Sequence, residues 1–378
     1  MKILLVGEYS RLHNSLKEGL VTLGHDVTII GSGDDFKKFP VDIRIYRKYM
    51  TGFAKKWKML WYTLTGIDLT SVNVKQQFYS HAEALKGHDV VQLINESPFG
   101  IVAKAEKELI SFLASHNARL FLLSCGTDHI SVSYAMAKKF RYSIFLPLFQ
   151  GKVSRKSFQP SLKYMEPDFA LLHAFIFDKI DGVIASDLDY HIPLKGHPKY
   201  LGLIPNPINT TTLSARPTPI NGQITIFHGI NRKNYYKKGS DYFEEALQIV
   251  SEKYPKRVKV LVVESLPYAE YITSYESAHI VLDQVLGYDQ GYNALEAMAK
   301  GKVVFTGAEK EFEEHYKLEN QVAINALPDA NAIAASLCNL IENPEMIREI
   351  GANARAFVER EHDYISVAKK YEAIWEQA

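Results

Sequence analysis

Residues 287 to 304 read Gly287-Tyr-Asp-Gln-Gly-Tyr-Asn-Ala-Leu-Glu-Ala-Met-Ala-Lys-Gly-Lys-Val-Val304, and this segment carries the clearest local pattern in the sequence. A buried strand is predicted to end near Asp283, so the stretch begins as a glycine-bearing loop. A helix then opens near Gly291 and ends at Gly301, where the chain enters the next buried strand. Strand, loop, helix and strand in this order form a β-α-β unit with parallel strands.

The predicted start of this helix is a candidate anion site. The backbone amides of Gly291, Tyr292 and Asn293 have no acceptor within the helix, and together with the helix dipole they suit a phosphate group. Glu296 lies just over one turn further on and can accept hydrogen bonds from ribose or sugar hydroxyls. An ordinary β-α-β unit with Glu296 as a solvated helix residue explains the bare pattern equally well.

The same architecture extends in both directions from this stretch. Buried strands in the second half are predicted over residues 223–227, 257–263, 279–283 and 302–306, with helices over 242–250, 331–342 and 344–359. Buried strands in the first half are predicted over residues 2–6, 26–30, 89–94, 119–124 and 181–185, with an amphipathic helix over 12–23. These patterns predict an α/β protein with two doubly wound, Rossmann-like parallel sheets facing each other across a cleft, where a ligand is expected at the carboxyl ends of strands.

The domain boundary is predicted from length and composition. The chain has 378 residues, more than the roughly 250 to 300 over which one hydrophobic core keeps growing. Composition changes at Ile204-Pro-Asn-Pro207 and stays rich in Pro, Thr and Asn through Pro217 to Gly222. We therefore place an N-terminal domain at residues 1–205 and a C-terminal domain at residues 206–378, with the last helix a candidate to cross back to the first domain.

Charge and cysteine content exclude several classes of protein. Lys and Arg total 44 against 43 for Asp and Glu, so no overall field attracts a nucleic acid. Cys125 and Cys338 show no spacing typical of a disulfide framework or zinc site, which fits a reducing cytoplasm. No apolar run reaches the roughly 18 to 20 residues of a membrane span. Asn95-Glu96-Ser97 matches the glycosylation sequon, but the sequon has no role in a protein that is not secreted.

A second cluster of candidate residues lies between the first strand and the first helix of the second half. It contains Arg232 and Lys237-Lys238-Gly239. Arg offers a planar fork matched to phosphate oxygens and Lys a point charge, so the two could neutralise a diphosphate without a metal. A solvated charged loop is the more common explanation for such a run.

Several segments together resemble retaining, nucleotide-sugar-dependent glycosyltransferases of GT-B fold, the large bacterial group 1 family. The resemblance is carried by Arg232, Lys238-Gly239, Leu266-Pro-Tyr268, His279-Ile-Val-Leu-Asp-Gln284 and the string Glu296-Ala-Met-Ala-Lys-Gly-Lys-Val-Val304. Ile204-Pro-Asn-Pro-Ile-Asn209 is similar to the family's interdomain Pro-Asn-Gly-x-Asp segment, with Pro207 where glycine is usual. The resemblance covers nearly all of the second half and, more loosely, the first.

The resemblance implies roles for residues on the donor side. Lys238 and Arg232 would hold the diphosphate during catalysis, Glu296 would hold the ribose, and the segment from Glu264 to Tyr268 would line the base pocket. Many members carry another Glu eight residues before the second one, where this chain has Tyr288. Asp289 is the adjacent carboxylate that could take over contacts with the donor sugar.

Residues of the first half are expected on the acceptor side. Ser124-Cys-Gly-Thr-Asp-His129 resembles the family's His-Gly-x-Asp segment, so Asp128 or His129 could orient a sugar hydroxyl or relay the acceptor proton. A helix N-cap is an equal alternative, because Thr127 and Asp128 precede the helical pattern. Gly7, Tyr9 and Ser10, at the first strand-to-helix turn, are expected to border the acceptor, with Tyr9 stacking on a sugar ring. His13 and His173 are interpreted as satisfied surface or core histidines.

Two segments interleave basic and aromatic residues, over residues 44–62 and 141–158. Such a mixture suits a membrane interface or an anionic lipid-linked acceptor. A lid on the acceptor side, packed by its own aromatic residues, is the preferred interpretation.

The sequence thus predicts a cytoplasmic enzyme, at the inner face of the membrane if the lipid interpretation holds. By resemblance it is a glycosyltransferase that moves a sugar from a nucleoside diphosphate sugar to a glycan or lipid-linked acceptor with retention, in bacterial surface polysaccharide assembly. No metal, cofactor or nucleic acid is expected. The alternatives are a nucleotide-sugar epimerase, a phosphorylase, or an inactive relative that binds nucleotide or glycan, for which Tyr288 is the sequence support.

Overall fold

The computed structural model of the chain describes residues 1–34, 39–215, 218–264, 266 and 268–378, and of residues 268 and 269 it describes the backbone only. Pro217, in the predicted boundary segment, and the side chain of Tyr268 therefore lie outside the described residues. Within the described residues the strands form two parallel sheets, one in each half of the chain. The predicted fold class is confirmed.

The first sheet has the strand order β3-β2-β1-β4-β5-β6-β7, so the order reverses beside β1. Parallel pairing is in register on both sides of β1, with Ile3 opposite Val27 and Val90. Along the chain the elements are β1 (Lys2–Val6), α1 (Leu12–Thr22), β2 (Asp26–Gly31), β3 (Ile43–Arg44), α2 (Gly52–Thr65), α3 (Leu69–Ser80), β4 (Val90–Leu93), α4 (Ala103–His116), β5 (Arg119–Ser124), α5 (His129–Met136), α6 (Leu146–Phe149), α7 (Gln159–Leu162), α8 (Pro167–Lys179), β6 (Gly182–Ala185), α9 (Leu188–Leu194) and β7 (Tyr200–Leu203). The edge strands β3 and β7 are short and were not predicted from the sequence.

The second sheet has the strand order β12-β11-β10-β8-β9. Its elements are β8 (Ile224–Ile230), α10 (Tyr235–Lys238), α11 (Ser240–Lys253), β9 (Val258–Glu264), α12 (Tyr268–Ser274), β10 (Ile280–Leu282), α13 (Tyr292–Ala299), β11 (Val303–Thr306), α14 (Lys310–Tyr316), β12 (Ile324–Asn325), α15 (Ala330–Glu342), α16 (Pro344–Glu361) and α17 (Tyr364–Gln377). The predicted β-α-β unit is present as β10, α13 and β11. Gly301, at φ 73°, follows the helix in the left-handed conformation that glycine adopts at helix ends.

The last helix packs on the first domain. Leu16 and Leu20 of α1 share one buried apolar cluster with Tyr371 and Trp375 of α17. The chain therefore passes between the two sheets twice, once before β8 and once after α16. These two crossings are joined, because the amide of Ile208 donates to the carbonyl oxygen of His362 at 2.7 Å and Ile208 forms a parallel bridge with Asp363.

The two basic, aromatic segments differ in their packing. In residues 141–158, Phe145 and Phe158 are buried and their rings lie 5.2 Å apart, so this segment is packed by its own aromatic residues. In the other segment, α2 is described throughout and contains no buried residue. The interpretation of residues 44–62 as a lid packed by its own aromatics is therefore wrong for α2. None of the described helices is long and apolar enough to cross a membrane.

Candidate functional site

A pocket of about 230 Å³ lies between the two domains. The first domain contributes residues from the start of α5 and from the turn after β6, and the second contributes the loop between β10 and α13. The carboxyl ends of parallel strands meet here, as expected for a ligand site in this class of fold. Of the predicted site residues, Gly291 and Asp289 line this pocket.

Gly291 forms the N-cap of α13 and opens the helix toward free space. Its backbone is extended, at φ −86° and ψ 175°, and a Cβ atom built on it would meet nothing within 4 Å. The amides of the first turn, including those of Tyr292 and Asn293, therefore start at the pocket. The positive end of the α13 dipole lies at the same place, and it favours an anion.

Glu296 is buried inside α13 rather than solvated, so the interpretation of a solvated helix residue is wrong. Burial, with the nearby carboxylates of Asp283 and Glu296, raises the pKa of Tyr271 above its ordinary value. Tyr271 was missed by sequence reasoning. Its ring lies so close to β8 that a Cβ atom on Gly229 would approach Cε2 of Tyr271 to 2.3 Å. Because Gly229 has no side chain, the Tyr271 ring can pack directly against β8.

The two predicted cations have different surroundings. Lys238 ends α10, and its Nζ lies 2.6 Å from Oδ1 of Asp283, which is buried at the end of β10. Arg232 is exposed and forms an ion pair with Glu264, whose Oε2 lies 3.0 Å from Nε of Arg232. The solvated-loop interpretation therefore describes Arg232 but not Lys238. Both lie outside the lining of the 230 Å³ pocket.

The side chain of Tyr292 serves the interface between the domains. Its hydroxyl donates to the carbonyl oxygen of Pro207 at 3.0 Å, and its ring packs against apolar clusters of both halves. The Tyr292 side chain is thus used at the interface, and the prediction of an anion site concerns its backbone amide. Asn293 beside it is partly exposed.

Tyr288 joins the two domains. Its hydroxyl accepts a hydrogen bond from the backbone amide of Arg141 at 2.9 Å, and the Arg141 guanidinium lies 4.9 Å from the ring centroid. The same guanidinium pairs with Glu309 and Glu311 at 2.7 Å each. Tyr288 thus makes an interdomain contact through both its hydroxyl and its ring.

Asp289 is buried at the interface beside two partly buried carboxylates, Asp187 and Asp189. Oδ2 of Asp289 accepts from the amide of Leu188 at 3.2 Å, so its carboxylate also bridges the domains. Burial, together with the charge of Asp189, raises the pKa of Asp289 to about 7. Burial likewise raises the pKa of Asp189 to about 6 and that of Asp187 well above its ordinary range.

Asp128 is the N-cap of α5, as the alternative interpretation predicted. Its Oδ1 accepts from the amide of Ser131 at 2.7 Å, and its own amide donates to the Ser131 hydroxyl at 3.1 Å. Its Oδ2 accepts from the hydroxyl of Ser124. The carboxylate is buried and both oxygens have protein donors.

His129 belongs to a cluster that sequence reasoning missed. Its Nδ1 lies 2.7 Å from the carbonyl oxygen of Tyr164, and its ring stacks on that of His173 with centroids 4.5 Å apart. Glu96 joins the two, since Oε2 accepts from the amide of His129 at 3.2 Å and Oε1 lies 2.7 Å from Nδ1 of His173. The prediction that His173 is a satisfied histidine is confirmed. The sequence signal that could have identified Glu96 was its position just after β4. Ligands bind at the carboxyl edge of the sheet in this class of fold.

The first strand-to-helix turn is closely packed. Gly7 has φ 88°, and a Cβ atom there would lie 2.3 Å from Cγ2 of Ile94, so only glycine fits. The amide of Ser10 donates to Oδ2 of Asp34 at 2.9 Å. Tyr9 packs beside Gly126, with its Cε2 3.7 Å from the Cβ position of that glycine.

Two titratable groups lie beneath this turn. His13 is buried with Nδ1 2.7 Å from the carbonyl oxygen of Gly7, and burial lowers its pKa to about 4. It is a satisfied core histidine, as predicted. Glu8, which was not predicted, is buried and accepts from the amide of Asn14 at 2.8 Å, and burial raises its pKa to about 8. No group of three or more His, Cys, Asp or Glu side chains among the described residues could hold a metal ion.

Comparison with known proteins agrees with the fold. Residues 232–373 match the sequence model of the family described as glycosyl transferase-like. No curated protein matches the chain in sequence. Sucrose-phosphate synthase from Thermosynechococcus elongatus is similar in structure, with 16% identity over 100% of this chain and 98% of that one, at a TM-score of 0.64.

Two further structures share the fold. HepE from Anabaena, in complex with UDP and glucose, is 13% identical over 100% of this chain and 99% of its own, at a TM-score of 0.60. A Listeria monocytogenes protein assigned as a UDP-N-acetylglucosamine 2-epimerase is 11% identical over 99% of this chain and 95% of its own, at a TM-score of 0.53. The chain is therefore a protein of the GT-B fold, the fold of the glycosyltransferases it resembles. Its residues 232–373 are similar to the family described as glycosyl transferase-like.

Proposed function

We propose that this protein is a glycosyltransferase that moves a sugar from a nucleoside diphosphate sugar to an acceptor hydroxyl, with retention at the anomeric carbon. The observation that carries the proposal is the open N-terminus of α13 at Gly291, facing the pocket between the domains. Backbone amides at such a terminus suit the diphosphate of the donor. The acceptor would then lie on the opposite wall of the cleft, which the N-terminal domain forms.

Catalysis would rest on electrostatic stabilisation of the leaving group. Negative charge grows on the diphosphate as the glycosidic bond breaks, and fixed positive groups stabilise that state more than the ground state. Lys238 is suited to this role because Asp283 holds its ammonium at 2.6 Å, leaving two of its three N–H donors for the donor phosphates. Arg232 would turn from Glu264 toward the diphosphate when the donor binds. No metal or cofactor is part of this proposal.

The rest of the donor would extend along the C-terminal domain. Glu296 is proposed to accept hydrogen bonds from the ribose, with Glu264 and Tyr268 beside the base. Asp289 lines the pocket and would contact the transferred sugar. UDP-glucose is the first donor to test, because HepE, which shares the fold, is known in complex with UDP and glucose.

The acceptor would lie against the N-terminal domain. His129 donates its Nδ1–H to the carbonyl of Tyr164, so Nε2 is the nitrogen that can take the acceptor proton. Glu96 and His173 would hold this ring in place, while Asp128, Tyr9, Ser10 and Gly7 border the acceptor. A glycan or lipid-linked acceptor, a cytoplasmic location at the inner membrane face and a role in bacterial surface polysaccharide assembly complete the proposal.

An epimerase is the second candidate, because a protein assigned to that activity shares the whole fold. An epimerase would convert the nucleotide sugar without an acceptor, whereas a phosphorylase would require free phosphate. An inactive nucleotide-binding relative, with Tyr288 committed to the domain contact, would bind without turnover. Assays of donor conversion with and without acceptor, and with phosphate, separate these reactions.

The first experiment is a thermal-shift screen with UDP, GDP, ADP and CMP. A nucleotide at about 100 times its Kd adds about 2.7 kcal/mol to the free energy of unfolding. We expect one nucleoside diphosphate to raise Tm well above the others, and its sugar conjugates are then assayed for transfer. If no nucleotide raises Tm at millimolar concentration, the proposed donor site is wrong.

A further inference from the structure

The apolar face of α2 points away from the protein. Its members are spaced at i, i+4, i+7, i+8 and i+11, which places them on one side of a helix. They are Phe53, Trp57, Leu60, Trp61 and Leu64, with exposed fractions of 82%, 50%, 52%, 38% and 73%. In an ordinary surface helix this stripe would face the core.

The orientation of α2 is fixed by its polar side. Nζ of Lys58 lies 3.2 Å from the hydroxyl oxygen of Thr70 and 3.6 Å from Oδ1 of Asp68. The hydroxyl of Thr70 in turn donates to the carbonyl oxygen of Lys48 at 2.8 Å. The helix also contacts α3, which follows it in the chain. Lys58 attaches the helix to the domain along one edge of the stripe, and the exposed fractions show that the stripe itself is presented to the surroundings.

The charge of α2 is of one sign. Residues 51–66 contain Lys55, Lys56 and Lys58 and no Asp or Glu. Lys58 is paired with Asp68, whereas Lys55 and Lys56 are exposed. A helix with exposed lysines beside an outward stripe of Trp, Phe and Leu matches the chemistry of a membrane surface that carries anionic lipids.

A second copy of this chain is a poorer occupant of the same surface. In a two-fold dimer through α2, the helix of one protomer would face that of its partner, because such an interface is self-complementary. The lysines of the two helices would then be brought together with no carboxylate of α2 to offset them. Anionic lipid headgroups supply the missing negative charge.

We propose that α2 lies in the interface of a membrane that contains anionic lipids, with the stripe from Phe53 to Leu64 among the acyl chains and Lys55 and Lys56 at the headgroups. The contacts of α2 carry this inference, and it does not depend on the proposed transfer reaction. The helix also begins near the proposed acceptor side. Arg47, just before α2, packs against Gly100 in the loop that follows β4 and Glu96. Membrane contact would thus be made close to the proposed acceptor side.

The test is co-sedimentation of the full chain with vesicles of phosphatidylcholine alone and of phosphatidylcholine with about 30% phosphatidylglycerol. We expect binding to the anionic vesicles that weakens at least tenfold between low and high salt, since exposed charges are screened. Tryptophan emission gives a second reading. Of the three tryptophans, Trp375 is buried, so a blue shift on binding would come from Trp57 and Trp61.

The variants separate apolar from charge contributions. Trp57→Ser with Leu64→Ser, and Lys55→Glu with Lys56→Glu, should each reduce the fraction bound at least tenfold without lowering Tm, because these side chains are exposed. Leu171→Ser, at an exposed leucine of α8, and Lys369→Glu with Lys370→Glu, at adjacent exposed lysines of α17, are the matched controls and should bind as the wild type does. Lys58 is kept because it attaches the helix.

The outcomes are distinct. Wild-type protein that ignores anionic vesicles at low salt, or α2 variants that bind as well as the controls, would overturn the proposal. Dimerisation in light scattering that is lost in Trp57→Ser with Leu64→Ser would assign the face to a second copy instead. Transfer to a water-soluble acceptor, measured in the same variants, should be unchanged, so that loss of membrane binding is not confused with failure of the proposed reaction.

Discussion

Nζ of Lys238 lies 2.6 Å from Oδ1 of Asp283, across the carboxyl ends of the neighbouring strands β8 and β10. Asp283 is buried, and the hydroxyl of Thr306 lies 3.5 Å from its other oxygen. A charge-assisted hydrogen bond to a buried carboxylate restricts the long lysine side chain to one region. The cation proposed for the diphosphate is therefore positioned before any ligand arrives.

Lys238→Ala should reduce kcat/KM by about two to three orders of magnitude, because the leaving group loses a preorganised positive charge. Removing the lysine also leaves the Asp283 carboxylate buried without its partner, which costs about 3 to 5 kcal/mol of stability. The double variant with Asp283→Asn should therefore recover Tm but not activity. Lys233→Ala, an exposed lysine of the same loop, is the control. A folded and active Lys238→Ala would remove Lys238 from the mechanism.

Glu296→Gln should lower nucleotide affinity by about 1 to 3 kcal/mol, or roughly 5-fold to 150-fold, because the amide keeps the shape but loses the charged acceptor. Isothermal titration with the preferred nucleoside diphosphate measures the change. The same titration with the 2′-deoxy nucleotide is the control, since the loss should be smaller when a ribose hydroxyl is missing. Equal affinity of wild type and variant for the ribonucleotide would show that Glu296 has no contact with the donor.

Transfer should survive an excess of EDTA, because protein cations and helix amides are proposed to neutralise the leaving group. The rate is measured before and after chelation, with Mg²⁺ and Mn²⁺ added back. Activity that disappears with EDTA and returns with either ion would mean that a metal takes this role.

Stability should fall as pH rises through about 7 because of Asp289. The pKa of this carboxyl is raised in the folded protein to about 7, so the folded state binds its proton more tightly than the unfolded state does. The stabilisation is fully present below the ordinary pKa near 4 and is lost progressively up to pH 7, at about 1.4 kcal/mol for each pH unit.

Asp289→Asn mimics the protonated form and removes the contribution of Asp289, while the contributions of Asp187, Asp189 and Glu8, whose pKa values are also raised, remain. The variant should gain Tm relative to the wild type as pH is raised from 5 to 8. Asp178→Asn, at an exposed aspartate, should follow the wild type. If Asp289→Asn keeps the full pH dependence of the wild type, another carboxyl is responsible for it.

Asp128→Asn and Tyr9→Ala should depress transfer while leaving nucleotide affinity nearly intact, because both residues lie in the N-terminal domain. Asparagine is as good an N-cap as aspartate, so Asp128→Asn should keep α5 folded and isolate the effect of charge. Rates with saturating donor and titrated acceptor are the measurement. Nucleotide affinity that falls with transfer would place these residues at the donor instead.

Local patterns predicted much of this architecture, and long-range contacts did not follow from them. The β-α-β unit around Gly291 and the alternative N-cap role of Asp128 are set by short stretches of sequence, and both were predicted. The contact of Glu96 with His173 joins residues 77 positions apart, one just after β4 and one on α8, so no local pattern contains it.

The outward face of α2 could not be predicted because helical periodicity gives the width of an apolar stripe and not its direction. That direction depends on the bonds of Lys58 to Thr70 and Asp68, outside the helix. Tyr288 illustrates the same limit, since its role comes from Arg141 in the other domain. Predicting which residues contact the donor therefore requires the positions of both domains, which a resemblance in sequence does not supply.

The double passage of the chain between the sheets has a mechanical consequence. Because Ile208 is bonded to His362 and bridged to Asp363, the two connections cannot lengthen or slide independently. We expect the two joined connections to act as one hinge, which allows rotation and resists translation. The expected motion is a swing of one domain about residues 206–208 and 362–363, in which each closure returns the two walls of the cleft to the same register.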